Sequence, residues 1–225
     1  ILYGYGGFEI SLKPSYSATI GKLWLERGGA YAVANIRGGG EFGPRWHKAA
    51  LKTNRQRAYD DFIAVAEDLA RRGITSPKRL GISGGSNGGL LVGAIFTQRP
   101  DLMNAVVCRV PLLDMMRYTK LLAGASWAAE YGDPEDSAMR TAILKYSPYQ
   151  NMFPGRKYPK VFIETSTKDD RVHPGHARKM VARMREQGHP VLYFENTEGG
   201  HAAGANLKQH ARRYALEYVY FSRQL

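Results

Sequence analysis

Gly84-Gly85-Ser86-Asn87-Gly88-Gly89 stands between a short apolar run, Arg79 to Ser83, and the apolar positions Leu90, Leu91, Val92, Ala94, Ile95 and Phe96. The order reads as strand, sharp turn, helix. A Gly-x-Ser-x-Gly segment in that setting forces its serine into a strained turn and lifts the hydroxyl above the sheet edge, because only glycine neighbours avoid collision there. The helix that follows aims backbone N–H groups at the space beside the hydroxyl, where an oxyanion would form. A glycine-rich turn with a solvated serine is the alternative, and partner residues elsewhere must decide between the two.

On both sides of this turn strands and helices alternate. Before it, Ile1 to Tyr5 reads as a strand followed by the permissive Gly6-Gly7 loop, Ala18 to Arg27 as an amphipathic helix, and Tyr31 to Ile36 as a second strand. Arg37-Gly38-Gly39-Gly40-Glu41 forms another loop. Tyr59, Phe62, Ile63, Ala66, Leu69 and Ala70 recur at helical spacing between Asn54 and Arg72, and Gly73 supplies a stop. After the turn, strands are expected at Ala105 to Val110, Val161 to Ser166 and Val191 to Asn196, with helices at His173 to Gln187 and Ala205 to Arg223. Leu112 to Asn151 reads as a helical excursion above the sheet. The pattern predicts a mostly parallel sheet with helices on both faces and ligands at the carboxyl ends of the strands.

A serine nucleophile needs a base, and the base needs an orienting carboxylate. Asp169 and Asp170 follow the penultimate strand, and His201 lies in the Gly199-Gly200-His201 loop after the last. Ser, Asp, His is the chain order of an α/β-hydrolase, with all three loops leaving one edge of the sheet. Spacing alone does not choose between Asp169 and Asp170. His47 and His210 fall among polar positions, and His173 and His176 flank a helix start at Pro174 without a ligand cluster around them. Neither a metal nor another cofactor is expected.

A chain of 225 residues, 44% hydrophobic, can bury one large core. No apolar run approaches the roughly 20 residues that span a bilayer, so a soluble protein without a membrane partner is expected. The single cysteine, Cys108, reads as a buried small hydrophobe; the compartment is left open between cytoplasm and periplasm. A formal charge of +12 raises the question of nucleic acid, but Arg45, Lys48, Lys52, Arg55, Arg57, Arg71 and Arg72 are scattered without interleaved aromatics. Most of them read as solvent-facing positions on expected helices, and no nucleic-acid partner is expected. Ile1-Leu2-Tyr3 has neither an initiator methionine nor a charged leader, so the residues are expected to be a domain from a longer chain.

Several stretches together resemble the catalytic domain of the prolyl oligopeptidase family from end to end. They are Tyr3-Gly4-Tyr5-Gly6-Gly7-Phe8, Asn35-Ile36-Arg37-Gly38-Gly39-Gly40-Glu41, Gly84 to Gly89, Trp127 to Tyr131, Asp169-Asp170-Arg171-Val172 and Gly200-His201. The resemblance implies an α/β-hydrolase fold with Ser86 as nucleophile, His201 as base and Asp169 as orienter. It implies an oxyanion hole from the Tyr5 hydroxyl and the Asn87 backbone N–H, a substrate-carbonyl contact from Arg171, and a proline pocket of Phe8, Trp127 and Tyr131 walled by Leu112 and Val172. It further implies short peptide substrates and an N-terminal β-propeller in the complete protein. Where many members have glycine after the histidine, this chain has Ala202 and Ala203.

The expected activity is cleavage of short peptides after proline. A general esterase would use the same machinery. Cleavage after lysine or arginine would call for acidic residues at the pocket base, and none is expected among these aromatics. A non-catalytic binding module that keeps the fold is the reading from a different class.

Overall fold

The computed structural model describes residues 1–202 and 204–225. Ala203, one of the two alanines after the histidine, lies outside the described residues. Six strands, β1 (Leu2–Gly4), β2 (Ala32–Ala34), β3 (Gly81–Gly85), β4 (Ala105–Arg109), β5 (Lys160–Ser166) and β6 (Val191–Asn196), form one sheet in the order β2-β1-β3-β4-β5-β6. Every pairing in it is parallel. The chain steps outward from β1 to β2 and then returns to the other side of β1 as β3. Such a reversal opens a crevice at the carboxyl ends of the two inner strands.

The helices are α1 (Ala18–Leu23), α2 (Pro44–Lys48), α3 (Gln56–Arg71), α4 (Asn87–Gln98), α5 (Ala128–Tyr131), α6 (Ser137–Tyr146), α7 (Gly175–Glu186) and α8 (Leu207–Gln224). Side-chain alternation along the central strands divides the core in two. Val106, Cys108, Val161 and Ile163 join the larger apolar cluster with Tyr59 and Phe62 of α3, the α4 helix, and Met180 and Met184 of α7. Ala105, Val107 and Phe162 point the other way, toward Ile20 and Leu23 of α1 and Tyr218, Tyr220 and Phe221 of α8. Because β4 and β5 are covered on both faces, they carry consecutive apolar residues, Ala105 to Cys108 and Val161 to Ile163, rather than alternating ones. The fold is the expected α/β-hydrolase layering.

Boundaries differ where turn chemistry intervenes. The helix expected over Ala18 to Arg27 breaks after Leu23 and finishes as a 3₁₀ turn, Leu25–Arg27, closed by Gly28 at a φ of 84°. The loop after β2 contains α2, entered through Gly43 and Pro44; a five-residue helix carries too little periodicity to be read from sequence. Among the described residues no helix is long and apolar enough to cross a membrane.

Candidate active site

Ser86 occupies the link between β3 and α4 with φ 57° and ψ −118°. A side-chain-bearing residue rarely adopts that conformation, which costs about 1–3 kcal/mol and persists only when its surroundings hold it. They do so from both sides: the Ser86 N–H donates to the Arg109 carbonyl at 2.9 Å, and its carbonyl accepts from Leu90 N–H at 3.1 Å. A Cβ on Gly84 would strike the Gly88 carbonyl, and one on Gly88 would sit 2.7 Å from the Gly4 carbonyl oxygen. The glycines are thus required by how closely β1, β3 and α4 approach.

His201 lies between the serine and a carboxylate. Its Nε2 is 3.1 Å from Ser86 Oγ, and its Nδ1 is 2.8 Å from Asp169 Oδ2 and 3.0 Å from Oδ1. An ionised carboxylate only accepts, so Nδ1 carries the proton and Nε2 is left to accept from the hydroxyl. Asp169 is buried, and its Oδ1 also takes the backbone N–H groups of Arg171 at 3.0 Å and Val172 at 2.9 Å. Asp170 is exposed. Between the two carboxylates that spacing leaves open, the histidine contacts the first.

Beside Ser86 a cavity of about 280 Å³ is lined by Tyr5, Phe8, Asn87, Leu112, Trp127, Tyr131 and Arg171, with Ile10 and Ser126 added. Phe8 meets Tyr131 edge to face, with centroids 5.6 Å apart. Val172 is not among the lining residues; it is buried, and its backbone N–H serves Asp169 instead. Asn87 N–H, at the first position of α4, has no partner a turn earlier in its own helix and so is available to a ligand. Burial raises the pKa of Tyr5, partly offset by Arg171, so the hydroxyl remains a donor at neutral pH. A larger hollow of about 730 Å³ lies at the opposite sheet edge, around Ile1, Trp24 and Leu225, away from Ser86.

Two expectations are corrected behind this cavity. Arg55, grouped above with solvent-facing cations, is completely buried; Glu130, only 5% exposed, is its partner and is not among the residues that line the cavity. Arg55 Nη1 donates to Glu130 Oε1 at 2.9 Å, and Arg55 Nη2 to Asn87 Oδ1 at 2.6 Å. Glu130 Oε1 also accepts from Phe8 N–H at 2.9 Å, while Oε2 accepts from His47 Nε2 at 2.8 Å. The Tyr131 hydroxyl donates to Asn87 Oδ1 at 2.7 Å, and Asn87 Nδ2 donates to the Tyr5 carbonyl at 2.6 Å. His47, set aside as one of several polar positions, therefore belongs to the support of the site. Glu130 stands between Trp127 and Tyr131 in sequence, which was a usable signal; Arg55, in a run with Gln56 and Arg57, offered none.

His173 and His176 turn to separate partners. His173 Nδ1 accepts from Gly175 N–H at 2.9 Å, and His176 Nδ1 from Asp114 N–H at 3.1 Å. Cys108 is buried as expected, and burial pushes its thiol pKa well up, away from nucleophilic use at neutral pH.

A family model described as the prolyl oligopeptidase family matches residues 14–225. The chain is 64% identical over 225 residues to the uncharacterized peptidase y4nA of Sinorhizobium fredii, covering all of this chain and 31% of that protein. It is 47% identical over 213 residues to the prolyl endopeptidase of Elizabethkingia miricola, covering 93% of this chain and 30% of that one. The solved structure of a post-proline cleaving enzyme from Rickettsia typhi superposes with a TM-score of 0.97 at 45% identity, over 100% of this chain and 33% of that one. The chain thus spans about a third of the length of the relatives it matches.

Proposed function

The chain belongs to the prolyl oligopeptidase family, and we propose that it is the catalytic domain of a serine peptidase that cleaves short peptides on the carboxyl side of proline. The observation that carries this reading is His201, within hydrogen-bonding distance of Asp169 on one ring nitrogen and Ser86 on the other, beside an aromatic cavity. Ser86 Oγ attacks the peptide carbonyl as its proton passes to His201 Nε2. The oxyanion takes hydrogen bonds from the Tyr5 hydroxyl and the Asn87 N–H. His201 then returns the proton to the leaving amine as the C–N bond breaks, leaving an ester on Ser86. Water attacks that ester, its proton going to His201 and back to Ser86, so each cycle consumes one water.

Proline selectivity rests on the chemistry of the walls. A pyrrolidine ring fits against the flat Trp127 indole, with Phe8, Tyr131 and Leu112 around it and Arg171 toward the substrate carbonyl. Glu130 does not make the pocket anionic, because Arg55 compensates it from behind. Restriction to short peptides is assigned to an N-terminal β-propeller in the complete protein. A fluorophosphonate probe that labels parent protein at Ser86, together with faster turnover of a proline peptide amide than of a matched aryl ester after normalisation to each uncatalysed rate, is expected. Failure of the probe to react would favour a non-catalytic module, and an ester-only activity would favour a general esterase.

A further inference from the structure

The loop that follows β1 carries two groups with different tasks in the proposed reaction: the Tyr5 hydroxyl for the oxyanion and the Phe8 ring for the pocket. Between them stand Gly6 and Gly7, so the segment has little stiffness of its own. Phe8 and Glu9 also adopt left-handed backbone, at φ 56° and 58°, which side-chain-bearing residues hold only under external constraint. Backbone bonds from Glu9 N–H to the Gly38 carbonyl and from Ile10 N–H to the Gly7 carbonyl hold part of the segment, and two side chains hold it at points three residues apart. Asn87 Nδ2 holds the Tyr5 carbonyl, and Glu130 Oε1 holds the Phe8 N–H.

Each holder has a second partner, His47 on Glu130 and the Tyr131 hydroxyl on Asn87, and Arg55 joins the two. Its Nη1 reaches Glu130 and its Nη2 reaches Asn87, with the guanidinium 5.3 Å from the Tyr131 ring centroid and 5.8 Å from that of Tyr59. Because a guanidinium has only donors, it also sets the Asn87 amide, turning Oδ1 toward itself and leaving Nδ2 for the Tyr5 carbonyl. Reversing that amide would face two N–H groups at Arg55 and Tyr131 and an oxygen at a carbonyl. The loop packs directly on this arrangement, since a Cβ on Gly7 would lie 2.5 Å from Asn87 Nδ2.

We propose that Arg55 and Glu130 are positioning residues that set the oxyanion tyrosine and the specificity-pocket phenylalanine together, so that a peptide seated in the pocket meets an oxyanion hole already in register. The inference rests on the oxyanion assignment of Tyr5. A planar fork is needed to hold both acceptors at once; an ammonium on a flexible stem cannot do so in the same geometry. Arg55→Lys is therefore expected to lower kcat by on the order of 10- to 100-fold, the scale of an ångström's misplacement of reacting groups, and to raise KM for a proline substrate. Glu130→Gln keeps an oxygen for Phe8 N–H and Arg55, and should lose much less than Glu130→Ala.

The test is a double-mutant cycle on the complete protein, with kcat and KM measured for a short proline peptide and folding checked by near-ultraviolet circular dichroism. If Arg55 acts through Tyr5, Tyr5→Phe costs far less in the Arg55→Lys background than alone. Full additivity, with Tyr5→Phe damaging by itself, overturns the inference and leaves the Tyr5 assignment standing. An inert Tyr5→Phe overturns the Tyr5 assignment and the inference with it. Should Arg55→Lys fail to fold, the same cycle is run with Glu130→Gln, Glu130→Ala and Phe8→Leu. There, the Glu130→Ala loss recovered in Glu130→Gln and non-additive with Phe8→Leu supports the proposal. Unchanged kcat and KM in folded Glu130→Ala overturns it.

Discussion

His201 Nδ1 lies 2.8 Å from Asp169 Oδ2, and the same carboxylate is held by two backbone N–H groups of its own loop. The imidazole is thereby oriented by a group that cannot itself swing. Ser86→Ala or His201→Ala in the complete protein is expected to lower turnover roughly 10⁴- to 10⁶-fold, as in other triads. Asp169→Asn should cost about 10⁴-fold, since an amide permits the wrong histidine tautomer, while the exposed Asp170→Asn should stay near parent. Steady-state kinetics on a proline peptide decide this, and a larger loss at Asp170 would move the orienting role there.

Tyr5→Phe removes a donor and nothing else. A loss on the order of 10²- to 10³-fold is expected, falling on kcat rather than KM, because the oxyanion exists only beyond the ground state. Burial keeps the phenol pKa above its ordinary value, so no fall in activity from loss of this proton is expected near neutral pH. Weakened binding at unchanged turnover would reassign Tyr5 to the pocket wall.

For the pocket, matched short substrates with proline, alanine or lysine before the scissile bond provide the comparison. Proline should lead alanine modestly, since contacts of one or a few methylenes are worth roughly 1–3 kcal/mol. Lysine should be rejected more firmly: its ammonium would be desolvated among walls that include no carboxylate, Glu130 being paired with Arg55 outside the lining. In Trp127→Ala the lead over alanine should shrink. A parent that prefers lysine would replace the substrate class while leaving the triad in place.

Stability should depend on pH through His176. The ring is buried and its Nδ1 accepts from Asp114 N–H, a bond that needs the neutral form. Burial lowers its pKa to about 4, with the Asp114 carboxylate opposing and His173 and Lys179 assisting. The unfolded chain takes up this proton near pH 6.5 and the folded chain does not, so the stabilisation is present above 6.5 and is lost as pH falls through 4. The swing is on the order of 3 kcal/mol. Urea midpoints at pH 7 and 4 should converge more in His176→Gln than in parent; an identical acid loss in both would remove His176 from the account.

Much of this site was legible without coordinates, and the reason is local. A glycine-flanked serine between a strand and a helix, and aspartate and histidine after the last two strands, are encoded by turn sterics and side-chain period within a few residues. Once the strands are parallel, those loops must share one edge. What only the tertiary structure decided are choices between equivalent neighbours and contacts between distant ones. Asp169 rather than Asp170 meets the histidine because one carboxylate of the loop is buried against Val172 N–H and the other faces solvent. Val172 likewise contributes its backbone to the aspartate and not its side chain to the cavity. Arg55, a cation that sequence reading groups with solvent-facing ones, pairs with Glu130, 75 positions away. They are buried because the fold encloses them together with Asn87, Phe8 and His47, and a buried cation is tolerable only when such partners surround it; that condition is set by packing across the whole chain, where no local pattern registers it.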